Sequence, residues 1–486
     1  MNSGVHVGNS DSLKAVWFRR DFRLHDHTAL KHAIEAIEKH GGKWLAFFYL
    51  DPKTASVEPV HHDYFFQTVM QFKQMLKTNG GDLYIITGTI EGGQLSKLLQ
   101  AFPEIDAVYA NDDRVGDGRL RDEAAEHFLA KQSIPFYTFE DAYLTEPDQV
   151  LKKDGTPYKV FTPYYKAWAK ERKRTPAVIK RDVLLGSVHK GTAPDREAET
   201  LFNNLIKKCS YDWSAIGEEH AIKRLQMFTK KRLSGYKANR DFPSITGTSR
   251  LSPYIKTGAV SSRSIYYHIL NAEADSYSAE TFLKELAWRD FYRMVHFYEP
   301  DCKDREIMEG YRELNWSHDQ DDLTSWKRGE TGFPIVDAGM RQLLNEGWMH
   351  NRLRMITASF LTKDLLIDWR LGERYFERML IDYDPSSNIG GWQWAASVGT
   401  DAVPYFRIFN PVTQSKRFDE NGTYIRTYIP ELNHVPDHYI HEPWKMSEEE
   451  QVKYKCRLDE DYPLPIVDHS KQRKKALSFF KGDDEE

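Results

Sequence analysis

Glu285, Trp288 and Arg289 fall at i, i+3 and i+4, so one helix face presents a carboxylate, an aromatic plate and a guanidinium. Such a face can grip a base-like ring and its phosphate, or it can be a packed Trp beside a surface Glu–Arg pair. A second group lies in Gly247-Thr248-Ser249-Arg250-Leu251-Ser252-Pro253. Its hydroxyls, its guanidinium and the N–H groups of a helix capped by Ser252, with Pro253 as first residue, can bind the oxygens of a pyrophosphate. An ordinary helix start in a polar turn is the alternative. In Trp348-Met349-His350-Asn351-Arg352-Leu353-Arg354-Met355, Asn351 and Met355 are one turn apart with Arg354 alongside. The amide can read the edge of a ring that carries donors and acceptors, and the Met is an adaptable apolar wall. His350 reads as a structural hydrogen-bonder and is given no catalytic role. Asp382-Tyr383-Asp384-Pro385, leading to Asn388-Ile389-Gly390-Gly391-Trp392-Gln393-Trp394, reads as irregular backbone that approaches a ligand, or as a turn with solvated acids. No His or Cys accompanies the two acids, which rejects a metal site.

The composition limits what these groups can serve. The 486 residues suggest two or three domains, and 40% hydrophobic with 29% charged residues fits a globular chain with ample core. A net charge of -5 means that any nucleic-acid site is a local basic face rather than the whole surface. Basic residues interleaved with aromatics recur at Tyr158–Arg174 and Lys223–Arg240; the first run reads by preference as a solvated face. Cys209, Cys302 and Cys456 are far apart, which argues against a disulfide framework and fits a reducing, cytoplasmic setting. The first dozen residues carry no secretory signal, no apolar run is long enough to span a membrane, and the end Lys481–Glu486 reads as a short solvated terminus.

The elements that must position these residues divide the chain. Apolar runs at Leu13–Phe18, Trp44–Leu50, Leu83–Thr87 and Ala107–Ala110, with a last one near Pro135–Phe139, read as buried parallel strands. Helical patterns at 27–39, 62–78, 91–101 and 117–132 alternate with them, which predicts a doubly wound parallel α/β sheet. Prolines 147, 157, 163, 176 and 194 punctuate a long connector over 141–207, too long to be featureless. From 208 onward helical periodicity dominates, most clearly at Leu283–Tyr298 and Met340–Asp368. The expected architecture is an α/β domain over 1–140, the connector, and a larger all-helical domain over 208–486.

Taken together, these segments resemble the photolyase/cryptochrome family, and within it the class I cyclobutane pyrimidine dimer photolyases. The resemblance runs from Trp17-Phe18-Arg19-Arg20-Asp21-Phe22-Arg23-Leu24 to Asp461-Tyr462-Pro463-Leu464-Pro465-Ile466-Val467, with TSRLSPY at 248–254, WMHNRLRM at 348–355 and NIGGWQWAASVGTD at 388–401 as its most specific stretches. It implies an antenna-binding α/β domain and an FAD held in the helical domain. Tyr236, Thr248, Ser249, Arg250, Leu251 and Ser252 match its phosphate-binding positions. Arg354 and Asp382 match the ion pair beside the flavin ring, Asp384 lies near the ribose or ring edge, and Asn388 faces flavin N5. Glu285, Arg289 and Asn351 fall where cofactor and substrate meet.

The resemblance also implies that the partner is ultraviolet-damaged DNA with the pyrimidine dimer flipped out. Glu285, Trp288, Asn351, Arg352, Met355 and Trp394 match the residues around that dimer, and Arg240, Arg289, Arg352 and Arg407 the contacts to backbone phosphate. Glu285 and Asn351 are the catalytic candidates at the dimer; Trp392, Trp369 and Trp316 match a chain that carries electrons to oxidised flavin. The implied chemistry is light-driven electron transfer from reduced FAD to the dimer and back. Arg114 stands where many members have an acid that binds a folate antenna, so the second chromophore is methenyltetrahydrofolate, a deazaflavin or none. A cryptochrome-type light receptor is disfavoured by Asn388 and the complete dimer pocket, a (6-4) photolyase by the absence of a histidine pair at 351–355. A flavin-containing DNA-binding module without catalysis is the alternative from another class. No membrane partner is expected, and a monomer suffices.

Overall fold

In the computed structural model the described residues are 12–52, 60–88 and 93–482. The expected solvated end at 483–486, nearly all of the polar first dozen residues, and the first two residues of the 91–101 helix lie outside them. The chain forms two compact units. One contains residues 1–149, 168–230 and 250–273, the other residues 150–167, 231–249 and 274–486.

The first unit is built on five parallel strands, β1 (Leu13–Trp17), β2 (Lys43–Leu50), β3 (Leu83–Thr87), β4 (Ile105–Asn111) and β5 (Phe136–Phe139), in the order β3-β2-β1-β4-β5. β1 and β3 are buried along their whole length because helices cover both faces, which is why they read as unbroken apolar runs. Helix Thr28–His40 shows the linkage: His27 accepts from Leu30 N at its start, and Leu30, Ala33, Ile34 and Ile37 form the buried stripe. A buried charged knot ties the Arg250–Glu273 segment to this sheet. Arg263 donates to Asp26 at 2.8 Å and to Asp141 at 2.6 Å, and Arg23 also donates to Asp141. Burial alone would raise the Asp141 carboxyl, but Arg23 and Arg263 outweigh it and hold it well below the usual range.

The second unit is helical, with its sheet content limited to isolated bridges among the described residues. Four expectations need correction. Met340–Asp368 is not one helix: Gly347, at φ 59, ends helix Pro334–Glu346, and a new helix starts at Asn351. His350 caps that second helix by accepting from Arg352 N, which is the structural role its sequence suggested. Asn388 to Gly391 are not irregular backbone. They lie in helix Pro385–Ala395, which Asp384 caps with Pro385 at its first position. Gly390 is needed there because a Cβ would lie 2.1 Å from the Tyr292 ring. Ser252 does not cap with its side chain: Leu251 occupies the cap position and Ser252 and Pro253 open a five-residue helix. Finally, the 158–174 basic run is not all solvated face. Lys173 is buried over the Trp168 ring at 3.9 Å and donates to backbone carbonyls, although Lys159, Lys166, Lys170 and Arg172 are exposed. The connector carries helices Phe161–Trp168, Arg181–Gly186 and Arg196–Lys208, and its residues are divided between the two units.

Candidate active site of the helical unit

Helix Ser276–Tyr298 places Glu285, Trp288 and Arg289 on one side, and each has found a partner from another segment. Arg240 donates to Glu285 at 2.6 Å. Arg240 Nε lies 3.9 Å from Asp241, and Asp241 in turn accepts from Arg352 at 2.8 Å. Glu285, Arg240, Asp241 and Arg352 therefore form one ladder of alternating charge across three segments. Burial works against the Arg240 charge, but Glu285 more than offsets it and keeps the guanidinium above its ordinary value. Arg289 sits 3.6 Å from Asp384. Three of the four arginines expected on phosphate are thus held by acids, while Arg407 is exposed.

Trp288 is covered on one face by Phe161, whose ring is stacked on it. The Arg352 guanidinium lies over the Phe418 ring at 4.4 Å, with Met355 sulfur 3.8 Å from its Nη1. Asn351 is exposed, and Trp394 is partly buried against the core. Phe161, Asp241 and Phe418 were not legible as site residues, because each is brought in by a long-range contact and none stands in a distinctive local pattern.

A second cluster lies on helix Pro385–Ala395 and the segment before it. Arg354 donates to both oxygens of Asp382, at 3.0 and 2.8 Å, and to the Met349 carbonyl at 2.9 Å. Asp382 is buried, so a planar guanidinium–carboxylate pair is locked in place. Asp384 accepts from Ser387 N as the helix cap. Asn388 donates its amide to Glu373, to the carbonyl at 3.2 Å and to Oε1 at 3.0 Å, which fixes the orientation of its amide oxygen. Burial pushes the Glu373 carboxyl up. Gly391, one turn from Asn388, has no heavy atom of the described residues within 4 Å of where a Cβ would stand. This helix face is open and free of side chains beside a fixed amide.

A flavin nucleotide fits this donor set. The amide and the fixed ion pair match the polar edge of an isoalloxazine ring, and the open face at Gly391 gives such a ring room to approach. Tyr236 is buried, with burial raising its hydroxyl pKa, and Arg240 lies over its ring at 5.3 Å. Thr248 and Ser249 belong to the helical unit, whereas Arg250, Leu251 and Ser252 belong to the other compact unit. Of the three tryptophans, Trp392 and Trp369 are fully packed into the core, and Trp316 is covered by Phe479 and Phe480. Arg114, in the first unit, is neutralised by Glu146 at 2.7 Å and Asp148 at 2.9 Å.

Comparison with known proteins agrees with this geometry. Residues 14–180 match the family model described as DNA photolyase, and residues 282–482 match the FAD binding domain of DNA photolyase. The chain is 99% identical over 480 residues to a deoxyribodipyrimidine photo-lyase of Alkalihalophilus pseudofirmus, covering 99% of this chain and all 100% of that protein. Among solved structures it is similar to a class III photolyase from Agrobacterium tumefaciens, with a TM-score of 0.89, 34% identity and 99% of both chains covered. It is also similar to an archaeal photolyase from Sulfolobus tokodaii with two FAD molecules, with a TM-score of 0.81, 29% identity, and 97% of this chain and 100% of that one covered. Among the described residues, no helix is long and apolar enough to cross a membrane.

Proposed function

The chain belongs to the DNA photolyase family, and from that premise we propose that it is a light-driven carbon–carbon lyase that splits cyclobutane pyrimidine dimers in DNA. The observation that carries the reading is the ladder Glu285–Arg240–Asp241–Arg352, because it gathers the dimer-facing residues of three segments around Trp288. Photolyases act on extruded bases, and a dimer stacks and pairs poorly, which lowers the cost of extrusion. Trp288 and Trp394 supply apolar walls for such a ligand. Glu285, held by Arg240, offers its carboxyl to the polar edge of the bases. Asn351 lies exposed at the first turn of its helix, next to Arg352. Arg407 and the paired arginines contribute positive charge for phosphate, which positions DNA without reading its sequence.

FAD, when bound in reduced form, supplies on illumination the electron that opens the cyclobutane ring and that afterwards returns. Asn388 and the Arg354–Asp382 pair orient the flavin, Tyr236 and Thr248 through Ser252 hold its phosphates, and the packed helices exclude water from the site. Trp392, Trp369 and Trp316 serve as the electron relay when the flavin is oxidised.

The class I assignment rests on the order of the motifs at 248–254, 348–355 and 388–401; the Agrobacterium protein of similar structure is described as class III. With Arg114 engaged by Glu146 and Asp148, an antenna other than folate, such as a deazaflavin, is favoured. The domain division at 140 and 207, a monomeric state and a cytoplasmic location complete the proposal. The test is to mix reduced protein with an oligonucleotide containing one thymine dimer and to quantify intact thymines after light or darkness. Light-dependent recovery over many turnovers supports the reading; no recovery with verified reduced FAD overturns it.

A further inference from the structure

Trp316 and Trp369 donate their indole N–H groups to the same atom, Oε1 of Glu306, at 3.2 and 3.1 Å. Glu306 is 1% exposed, and its second oxygen accepts from Arg370 at 2.6 Å. Arg370 also pairs with Asp368 at 3.0 Å, so the Glu306–Arg370–Asp368 cluster carries a net negative charge. Trp392 differs: its Nε1 is buried with no hydrogen-bond partner among the described residues. Its ring nevertheless touches the helix that begins at Trp369, since a Cβ at Gly372 would lie 2.1 Å from Trp392 Cη2.

An indole that gives up an electron becomes a cation, and a carboxylate within hydrogen-bond reach stabilises it strongly where water is excluded. We propose that Glu306 is the shared counter-ion of Trp316 and Trp369, and that it makes passage of positive charge away from Trp392 downhill. The inference rests on the relay reading of the three tryptophans. A photoexcited oxidised flavin takes one electron from Trp392; Trp369 refills Trp392, and Trp316 refills Trp369. One electron moves inward and one positive charge outward at each step, with no bond formed or broken. Both nitrogens already share one oxygen, so the carboxylate need not move as the charge passes between them, which keeps reorganisation small. Glu306 acts through the two indoles and is a positioning residue.

The experiment is flash spectroscopy of the holoenzyme with oxidised flavin, following the absorption of the tryptophan radical. Glu306→Gln keeps the shape and an acceptor oxygen but removes the charge. Recombination is expected to be faster by ~10-fold or more, equivalent to about 1.4 kcal/mol. Glu306→Asp keeps the charge and should return the lifetime toward wild type. In the apoprotein, the ultraviolet resonance Raman signature of the indole N–H bonds should weaken in Glu306→Gln; an unchanged signature overturns the counter-ion role. Trp369→Phe, measured alongside, tests the relay itself. A wild-type radical lifetime in Trp369→Phe would remove both the relay and this inference. Loss of the long-lived radical in Trp369→Phe, with Glu306→Gln within about twofold of wild type at equal flavin loading, would remove the Glu306 inference alone.

Discussion

Trp288 lies face to face with Phe161, with ring centroids 3.7 Å apart and planes 8° from parallel. One face of Trp288 is therefore spent on protein packing, and its orientation is set before any DNA arrives. Trp288→Ala should weaken binding to a dimer-containing oligonucleotide by about 1–3 kcal/mol, roughly 5- to 150-fold, the usual worth of a base–aromatic stack. Phe161→Ala should weaken it less, by removing the backing plate alone. Fluorescence anisotropy with damaged and undamaged DNA checks both, and equal affinities for wild type and Trp288→Ala would remove Trp288 from the pocket.

The Glu285–Arg240 pair makes a second, separable prediction. Glu285→Ala should lower the light-dependent repair yield roughly tenfold, or about 1.4 kcal/mol, with only a modest loss of binding. Arg240→Ala should reproduce part of that loss, because it releases the Glu285 carboxyl that it holds at 2.6 Å. If the double variant is no worse than Glu285→Ala, Arg240 acts through Glu285; additive losses would show that it contacts phosphate independently.

Asn388 stands 3.0 Å from Oε1 of Glu373, a carboxyl already pushed up by burial. Asn388→Asp places two carboxylates in hydrogen-bond range, which raises the proton affinity of the pair in the folded state. Stability relative to wild type should therefore be nearly intact at low pH and fall as pH rises through the folded-state titration. Thermal melts across pH 4 to 8 read this directly; a pH-independent difference would mean that the two side chains do not interact.

Asp364 is buried beside His469 on the C-terminal helix His469–Lys481, and burial raises its carboxyl to about 6. The folded state then binds a proton that the unfolded chain has already lost. The sign follows: this contribution to stability is full below the unfolded value near 3.8 and disappears as pH rises to about 6. The shift corresponds to at most about 3 kcal/mol. Asp364→Asn, which cannot titrate, should flatten the slope of unfolding free energy against pH in that window.

The glycines of the site separate packing from binding. Gly372→Ala drives a methyl into the Trp392 ring and should cost about 1–3 kcal/mol of stability, as overpacking does. Gly391→Ala meets no neighbour, so its melting temperature should hold or rise slightly, by the ~1 kcal/mol that Ala gains over Gly in a helix. FAD stoichiometry should nevertheless fall, because the methyl occupies the face left open beside Asn388. Full FAD loading in Gly391→Ala would place the flavin elsewhere.

The sequence by itself determined the parallel sheet, the helical character of everything after 208, and which residue types could do chemistry. Strand runs and helical stripes are local patterns, and burial on both sheet faces or on one helix side writes them directly into the order of residues. The family motifs were equally legible because each is contiguous. Only the tertiary structure decided where Met340–Asp368 breaks, since the left-handed conformation at Gly347 is a property that many helical glycines do not use. It alone showed that Gly390 and Gly391 continue a helix, one packed under Tyr292 and the other open. It alone supplied Phe161 behind Trp288, Asp241 between Arg240 and Arg352, and Glu306 beneath two indoles. A carboxylate or a phenyl ring carries no local signal of the partner that folding will bring to it from another segment, and these pairings decide the charge and geometry on which the chemistry depends.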